Sequence, residues 1–175
     1  DNDNAIEVII NYLIKKNHTH ISYINISEKY NFANERKSSF LKSLKLNKIN
    51  FNPNYYASVK LEEPENSFEV IKKMLTENKK ISAIICSTEF SALSAIKACN
   101  DLNYKIGKDI SIITFDGALV RDLSSPPITA VSFPVKELGK RAINILLNKN
   151  NNKNQTDNYL AKSEIIERGS VHTVS

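Results

Sequence analysis

The stretch that decides the fold runs from residue 81 to residue 117 and reads ISAIICSTEFSALSAIKACNDLNYKIGKDISIITFDG. Residues 81–86 form a nearly continuous apolar run, which predicts a strand buried on both faces of a sheet. Apolar residues recur at helical spacing over 90–98, and a second buried strand is predicted at 110–115. Strand, helix and strand in this order are typical of a parallel sheet covered by helices.

The same alternation precedes this stretch. Apolar residues at helical spacing predict helices over 5–16 and 34–46 and a third helix that begins at Pro64. Runs rich in β-forming residues predict strands at 21–26 and 55–59. Helix and strand therefore repeat four times, and we predict an α/β fold, a three-layer parallel sheet with helices on both faces. Ligands of such folds bind beyond the carboxyl ends of the strands.

The regular alternation of predicted helices and strands changes after residue 127. A strand is predicted at 128–133, a helix opens at Pro134, a polar loop covers 148–158, and a last strand is predicted at 159–168. This tail is too small to enclose a core of its own. It either completes the first sheet or belongs to a second lobe.

Composition excludes several classes of protein. The chain has 175 residues, 41% hydrophobic and 25% charged, which fits one globular domain and argues against a disordered or membrane-embedded chain. The net charge of +5 comes from scattered lysines, so no dedicated nucleic-acid surface is predicted. Cys86 and Cys99 are predicted to be buried, reduced thiols. The acidic start is not a signal peptide, and without an initiator Met the chain is expected to begin partway through a longer protein.

Motifs of catalysis and metal binding are weak. The sequence has no nucleophile elbow, no Walker loop and no dinucleotide glycine motif. Two S-x-x-K matches, at Ser39 and Ser94, are attributed to chance. His18 and His20 form an H-x-H pair without a third ligand. We therefore predict no catalytic residue, no metal site and no cofactor.

Two charged residues at predicted strand ends are better candidates for ligand binding. Asp116 follows a buried strand and precedes Gly117, where a carboxylate could accept hydrogen bonds from two hydroxyls of a ligand or cap the next turn. Arg36 lies early in the second predicted helix. Its planar guanidinium could hold vicinal hydroxyls, or it could form a surface ion pair with Glu35 or Glu28. The sequence positions alone leave both alternatives open.

Several longer motifs occur in a family-specific order. They are SAIICSTEFSALSAI at 82–96, GKDISIITFDG at 107–117, PPITAV at 126–131, PVKELG at 134–139 and IIERGS at 165–170. Asn17-His18 before a strand and Arg36 to Phe40, with Ser39 in place of the usual Gly, add two shorter matches. Together these motifs, which extend over almost the whole chain, resemble the effector-binding core of the LacI/GalR family of bacterial transcription regulators.

The resemblance implies a core of two α/β lobes, like periplasmic sugar-binding proteins, with a small effector in the cleft between them. Residues 1–132 would form the C-terminal lobe. The helix and strand within 133–166 would belong to the N-terminal lobe, and 167–175 would return to the C-terminal lobe. The rest of the N-terminal lobe and the helix-turn-helix that binds operator DNA would lie upstream and are absent from this chain.

The resemblance also implies a set of effector-binding residues. Arg36 and Asp116 match the effector-binding arginine and aspartate of the family. Thr88 stands where the family usually has Asn, Glu62 falls where many members have an aromatic residue, and Phe133 lies at the third hinge, where a Gln often contacts the ligand. The charged pair is thus retained while its neighbours differ, which is expected to change the sugar that fits.

The function that the resemblance implies is that of a cytoplasmic, homodimeric transcription regulator that senses a small effector, expected to be a sugar. The helix containing Leu93 and the segment 118–125 would face the partner copy, and no membrane contact is expected. The alternative is an extracytoplasmic sugar-binding protein of an ABC transporter, which shares the fold and the charged pair. The motifs at 126–129 and 165–170 favour the regulator. An enzyme is disfavoured because no nucleophile and base are apparent.

Overall fold

The computed structural model describes residues 1–60, 64–116, 124–148 and 159–175. Apart from a short 3-10 helix at Pro53–Tyr55, this part of the chain contains five α-helices and six strands. In chain order they are α1 (Asn2–Lys15), β1 (Ile21–Ile26), α2 (Asn31–Leu46), β2 (Tyr56–Val59), α3 (Pro64–Glu77), β3 (Ala83–Cys86), α4 (Glu89–Asp101), β4 (Ser111–Phe115), β5 (Thr129–Ser132), α5 (Val135–Asn148) and β6 (Glu164–Ile166). Each predicted helix and strand is present, with its ends displaced by a few residues.

The strands form one sheet in the order β2-β1-β3-β4-β5-β6. The first five strands are parallel to one another, while β6 runs antiparallel to β5 and pairs Ile166 with Ala130. The predicted α/β fold with a parallel sheet is therefore confirmed. The tail does add a strand to this sheet, although β6 is shorter than the predicted strand at 159–168. The assignment of 133–166 to a second lobe stays a prediction.

The central strands are apolar throughout because each has a core on both faces. Along β3, Ala83 and Ile85 face the core that α1 and α2 cover, whereas Ile84 and Cys86 face the core that α3 and α4 cover. This alternation of side chains explains why the strand reads as a continuous apolar run. Cys86 is buried as predicted, and so is Cys99, which packs in the same core.

The end of the chain is bonded across the sheet. Ser170 Oγ accepts a hydrogen bond from the backbone N–H of Thr129 (2.8 Å) and donates one to the carbonyl of Ile112 (2.6 Å). The guanidinium of Arg168 donates to the carbonyl of Ile128 (2.8 Å). The ERGS motif thus ties residues 167–175 to β4 and β5.

A buried histidine joins this tail to the amino-terminal edge of the sheet. His18 is fully buried, with its Nδ1 2.9 Å from Ser82 Oγ and its Nε2 3.0 Å from both the carbonyl oxygen of His172 and Ser111 Oγ. Because a carbonyl only accepts hydrogen bonds, Nε2 carries the proton and Nδ1 accepts from Ser82. Burial lowers the pKa of His18 to about 4, so its imidazole is neutral at pH 7.

We predict that His18 makes the fold sensitive to acid. Its pKa lies near 6.5 in the unfolded chain and near 4 in the folded chain, so the unfolded state binds more protons in between. The free energy of unfolding should therefore fall by roughly 3 kcal/mol from this group alone as the pH drops from 6.5 to 4. Chemical denaturation at several pH values, with wild type compared with His18→Gln, isolates this contribution.

The matched control for that experiment is His20→Gln, which removes an exposed imidazole from the same connection. This variant should keep the acid-sensitive contribution, whereas His18→Gln should lose it. Equal acid sensitivity in wild type and His18→Gln would contradict the assignment. The midpoint of the His18 resonances in an NMR titration gives a second, direct reading of its pKa.

Candidate ligand-binding site

The carboxyl ends of β1, β3, β4 and β5 meet at one edge of the sheet, and the predicted binding residues follow these strands. Arg36 lies in α2, Thr88 precedes α4, Asp116 follows β4 and Phe133 follows β5. The structure therefore brings together four of the five predicted residues. The fifth, Glu62, lies outside the described residues.

The guanidinium of Arg36 is held by two hydrogen bonds and by two aromatic rings. Its Nε donates to Asn2 Oδ1 (2.9 Å) and its Nη1 to the backbone carbonyl of Ser87 (3.3 Å). The guanidinium carbon lies 3.8 Å from the centroid of the Phe115 ring and 5.2 Å from that of Phe32. These contacts fix the plane and the rotation of a half-buried cation.

An ion pair with Glu28 or Glu35 does not hold the Arg36 guanidinium in place. Glu28 pairs with Lys37, and Glu35 accepts a hydrogen bond from Asn2 (2.6 Å), so among the described residues neither carboxylate forms an ion pair with Arg36. Burial lowers the pKa of Arg36, while the nearby negative charge of Asp116 raises it. The surface-ion-pair alternative is therefore not what the structure contains.

Asp116 has a strained backbone and an exposed side chain. Its φ is +60°, in the left-handed region that Asp tolerates better than most residues, and its N–H donates to the carbonyl of Val131 (2.8 Å). The backbone of Phe133 lies near the carboxyl group and lowers its pKa. Backbone strain of this kind is concentrated at functional sites, where the surrounding contacts compensate for its cost.

Burial, two nearby charges and the backbone of Phe133 set the acidity of Asp116. Partial burial raises the pKa of its carboxyl group, the positive charge of Arg36 lowers it, and the negative charge of Glu89 raises it again. The opposing charges of Arg36 and Glu89 therefore act on the same group from two different helices.

Phe133 and Thr88 take part in the local structure of this edge. The rings of Phe133 and Phe115 stack with centroids 6.3 Å apart, so Phe133 supports the ring on which the guanidinium lies. Thr88 is the N-cap of α4: its Oγ1 accepts from the Ser91 N–H (3.1 Å), and Ser91 Oγ accepts in return from the Thr88 N–H (3.1 Å). The Thr88 hydroxyl is already engaged in this cap, so Thr88 is a weaker candidate for a ligand contact.

A residue that the sequence analysis missed organises the start of α2. Asn25 is fully buried at the end of β1, donates to the carbonyl of Ala33 (2.9 Å) and the Tyr56 hydroxyl (3.2 Å), and accepts from Tyr23 and the Ile26 N–H. Because α2 has no side-chain N-cap, this amide provides the polar tie that fixes its first turn. The signal that could have identified Asn25 from the sequence is a single Asn within an apolar strand.

Neither a cluster of metal ligands nor a membrane-spanning helix is found in the described parts of the chain. Among those residues there is no cluster of three His, Cys, Asp or Glu side chains that could hold a metal ion. None of the helices described there combines the length and the apolar character needed to cross a bilayer.

The fold is an α/β fold in which charged and aromatic side chains gather at the carboxyl edge of a parallel sheet. The sequence profile described as "Periplasmic binding protein-like domain" matches residues 10–171, so the chain belongs to that family. The resemblance to the effector-binding core of LacI/GalR regulators is confirmed by the relatives that follow.

Similar sequences are named as transcription regulators. The HTH-type transcriptional repressor PurR of Histophilus somni (strain 2336) is 30% identical over 164 residues, which cover 93% of this chain and 49% of that protein. The HTH-type transcriptional regulator RegA of Clostridium saccharobutylicum is also 30% identical over 164 residues, covering 91% and 48%. The chain thus spans about half the length of the curated relatives it matches.

Solved structures share the fold. A sugar-binding transcriptional regulator of the LacI family from Escherichia coli, complexed with phosphate, superposes with a TM-score of 0.89 at 22% identity, covering 99% of this chain and 62% of the other. A complex of the transcriptional regulator CelR with cellobiose superposes with a TM-score of 0.84 at 16% identity, covering 97% and 52%. At these identities the likeness shows the fold alone.

We predict that two substitutions move the pKa of Asp116 in opposite directions. Arg36→Met removes a stabilising positive charge while keeping the bulk of the side chain, so the pKa should rise. Glu89→Gln removes a repelling negative charge, so the pKa should fall. An NMR titration that follows the Asp116 carboxyl carbon measures both shifts.

Lys45→Ala is the control for these titrations, because it removes a cation from the last turn of the same helix as Arg36. This variant should leave the Asp116 titration unchanged. Shifts of equal sign in the two test variants, or no shift in either, would contradict the electrostatic description of the site.

Proposed function

We propose that this chain is the effector-binding part of a DNA-binding transcription regulator of the LacI/GalR type, which senses a small polyhydroxylated metabolite such as a sugar. The observation that carries the proposal is the pair formed by Arg36 and Asp116 at the carboxyl edge of the sheet. These two side chains present a planar donor and a carboxylate acceptor near each other, without forming a direct ion pair among the described residues.

The chemistry of the pair favours hydroxyl groups. A hydroxyl both donates and accepts hydrogen bonds, so adjacent hydroxyls can donate to Asp116 and accept from Arg36. Hydrogen bonds to charged groups contribute roughly 1.5–3 kcal/mol each, so two residues would supply a substantial part of the affinity for a small ligand. Phe133 and Thr88 would border the site, with Glu62 as a further predicted contact.

The regulator is favoured over an extracytoplasmic transport protein because the relatives are named as transcription regulators. They are not named as enzymes, which supports a role in binding rather than catalysis. A cytoplasmic location follows from the proposed action on operator DNA. DNA binding itself would reside in the part of the protein upstream of this chain.

The helix α5 supports the prediction that 133–166 belongs to a second lobe. Three apolar residues of this helix are each between 58% and 69% exposed, which is unusual for Ile and Leu. They are Ile143, Leu146 and Leu147. A pocket of about 750 Å³ lies between the start of α5 and residues 159–164. We propose that the upstream part of this protein covers both, because the chain spans only half of its relatives.

A second copy of the protein is the proposed partner of α4. Phe90 and Leu93 are both exposed on this helix, three residues apart and so on the same face. This supports the predicted dimer face around Leu93. Of the other predicted segment, 118–125, residues 118–123 lie outside the described residues.

We predict that Arg36→Ala or Asp116→Ala weakens effector binding at least tenfold in the full-length protein. A loss of about 1.4 kcal/mol corresponds to tenfold, and each substitution removes at least one hydrogen bond to a charged group. A thermal-shift panel of mono- and disaccharides, beginning with cellobiose, selects the probe, and isothermal titration calorimetry measures its affinity.

Lys45→Ala provides the matched control, since it removes a cation from α2 without touching the site. Thermal unfolding of every variant confirms that it is folded. Unchanged affinity in both the Arg36 and the Asp116 variant would overturn the assignment of the site.

A further inference from the structure

The Nε–H of Arg36 donates a hydrogen bond to a residue of another helix. We propose that Asn2, in the first turn of α1, positions Arg36 for ligand binding, an inference that rests on the proposed function. Asn2 Oδ1 accepts a hydrogen bond from Arg36 Nε at 2.9 Å, although 34 residues separate the two in sequence. Neither the family motifs nor the predicted site includes Asn2.

The amide of Asn2 is itself oriented. Its Nδ2 donates to Glu35 Oε2 at 2.6 Å, and since only the nitrogen of an amide donates, the oxygen must face Arg36. Glu35 and Arg36 are neighbours on α2, so one amide bridges two consecutive side chains of that helix. The bridge fixes the rotation of the guanidinium about its long axis.

The bridge leaves part of the guanidinium available. Nε is bonded to Asn2 and Nη1 to the carbonyl of Ser87, whereas Nη2 makes no hydrogen bond within the described residues. Both partners are neutral acceptors, so the positive charge of Arg36 is not cancelled by direct contact. Asn2 therefore holds Arg36 through Nε, leaves Nη2 without a hydrogen bond to the described residues, and does not weaken the attraction of the cation for a ligand.

The stability of α1 does not depend on this amide. The helix is anchored by five fully buried apolar residues, which are Ala5, Ile6, Ile9, Ile10 and Leu13. Its N-terminus is capped by Asp1, whose carboxylate accepts from the Asn4 N–H at 2.9 Å. Removal of the Asn2 side chain should therefore change the position of Arg36 and leave the fold intact.

The test uses the full-length protein and a spectroscopic signature of Arg36. In Asn2→Ala, exchange of the Arg36 Nε–H proton with water, measured by ¹H–¹⁵N NMR, should become roughly tenfold faster, which corresponds to about 1.4 kcal/mol. The melting temperature should stay unchanged. Asn11→Ala, a matched Asn substitution farther along α1, should leave the exchange rate as it is in wild type.

A charge exchange supplies the rescue. Asn2→Asp alone keeps an acceptor for Arg36 but places two carboxylates against each other at Glu35. When Asn2→Asp is combined with Glu35→Gln, the new carboxylate at position 2 can accept from Arg36 Nε, and the new amide at position 35 can donate to that carboxylate. The double variant should therefore recover slow exchange of the Arg36 Nε–H. An exchange rate that stays at the wild-type value in Asn2→Ala, or that fails to recover in the double variant, would overturn the proposal.

The failure of this inference can be told apart from failure of the proposed function. Calorimetry uses the same saccharide as the Arg36→Ala experiment, the one that the thermal-shift panel selects, and cellobiose is tried first. If Arg36→Ala abolishes binding and Asn2→Ala binds as wild type does, Asn2 has no positioning role although the site is correct. If Arg36→Ala binds as wild type does, the proposed function fails, and the exchange measurement alone decides whether Asn2 holds Arg36.

Discussion

The structure of the candidate site depends on keeping the guanidinium of Arg36 charged while it is half-buried. A charge removed from water needs replacement partners, and here they are the neutral oxygens of Asn2 and Ser87 and the faces of two aromatic rings. Among the described residues, Arg36 forms no direct ion pair. Such a pair would neutralise the guanidinium within the protein. Asp116 lies near Arg36 without forming a direct ion pair among the described residues, in keeping with the same requirement.

The elements that support Arg36 come from distant parts of the chain. Asn25 fixes the first turn of α2, α1 contributes Asn2, and β4 contributes the ring of Phe115. A parallel sheet brings these elements to one edge because all of its parallel strands end there. The grouping of the candidate site residues is therefore a consequence of the strand order.

The fold was predictable from the sequence because burial leaves a local pattern. Continuous apolar runs marked β3 and β4, and Asp116 was found because it directly follows such a run. The bonds that hold the site were not predictable in this way, since Asn2 and Arg36 are 34 residues apart and Asn2 lies in an Asn-rich stretch without any distinguishing motif. His18 was likewise recognised as a motif, but its burial against the tail depends on contacts across more than 150 residues. The predicted last strand was too long because apolar residues such as Leu160 are exposed in this chain.

The central claim is that Arg36 and Asp116 form one wall of a ligand cleft that the upstream part of the protein completes. A crystal structure of the full-length protein with its bound saccharide tests this claim most directly. We expect ligand hydroxyls within hydrogen-bonding distance of both side chains, and α5 packed against the upstream chain. A saccharide bound elsewhere, or an α5 whose apolar residues remain in solvent, would contradict it.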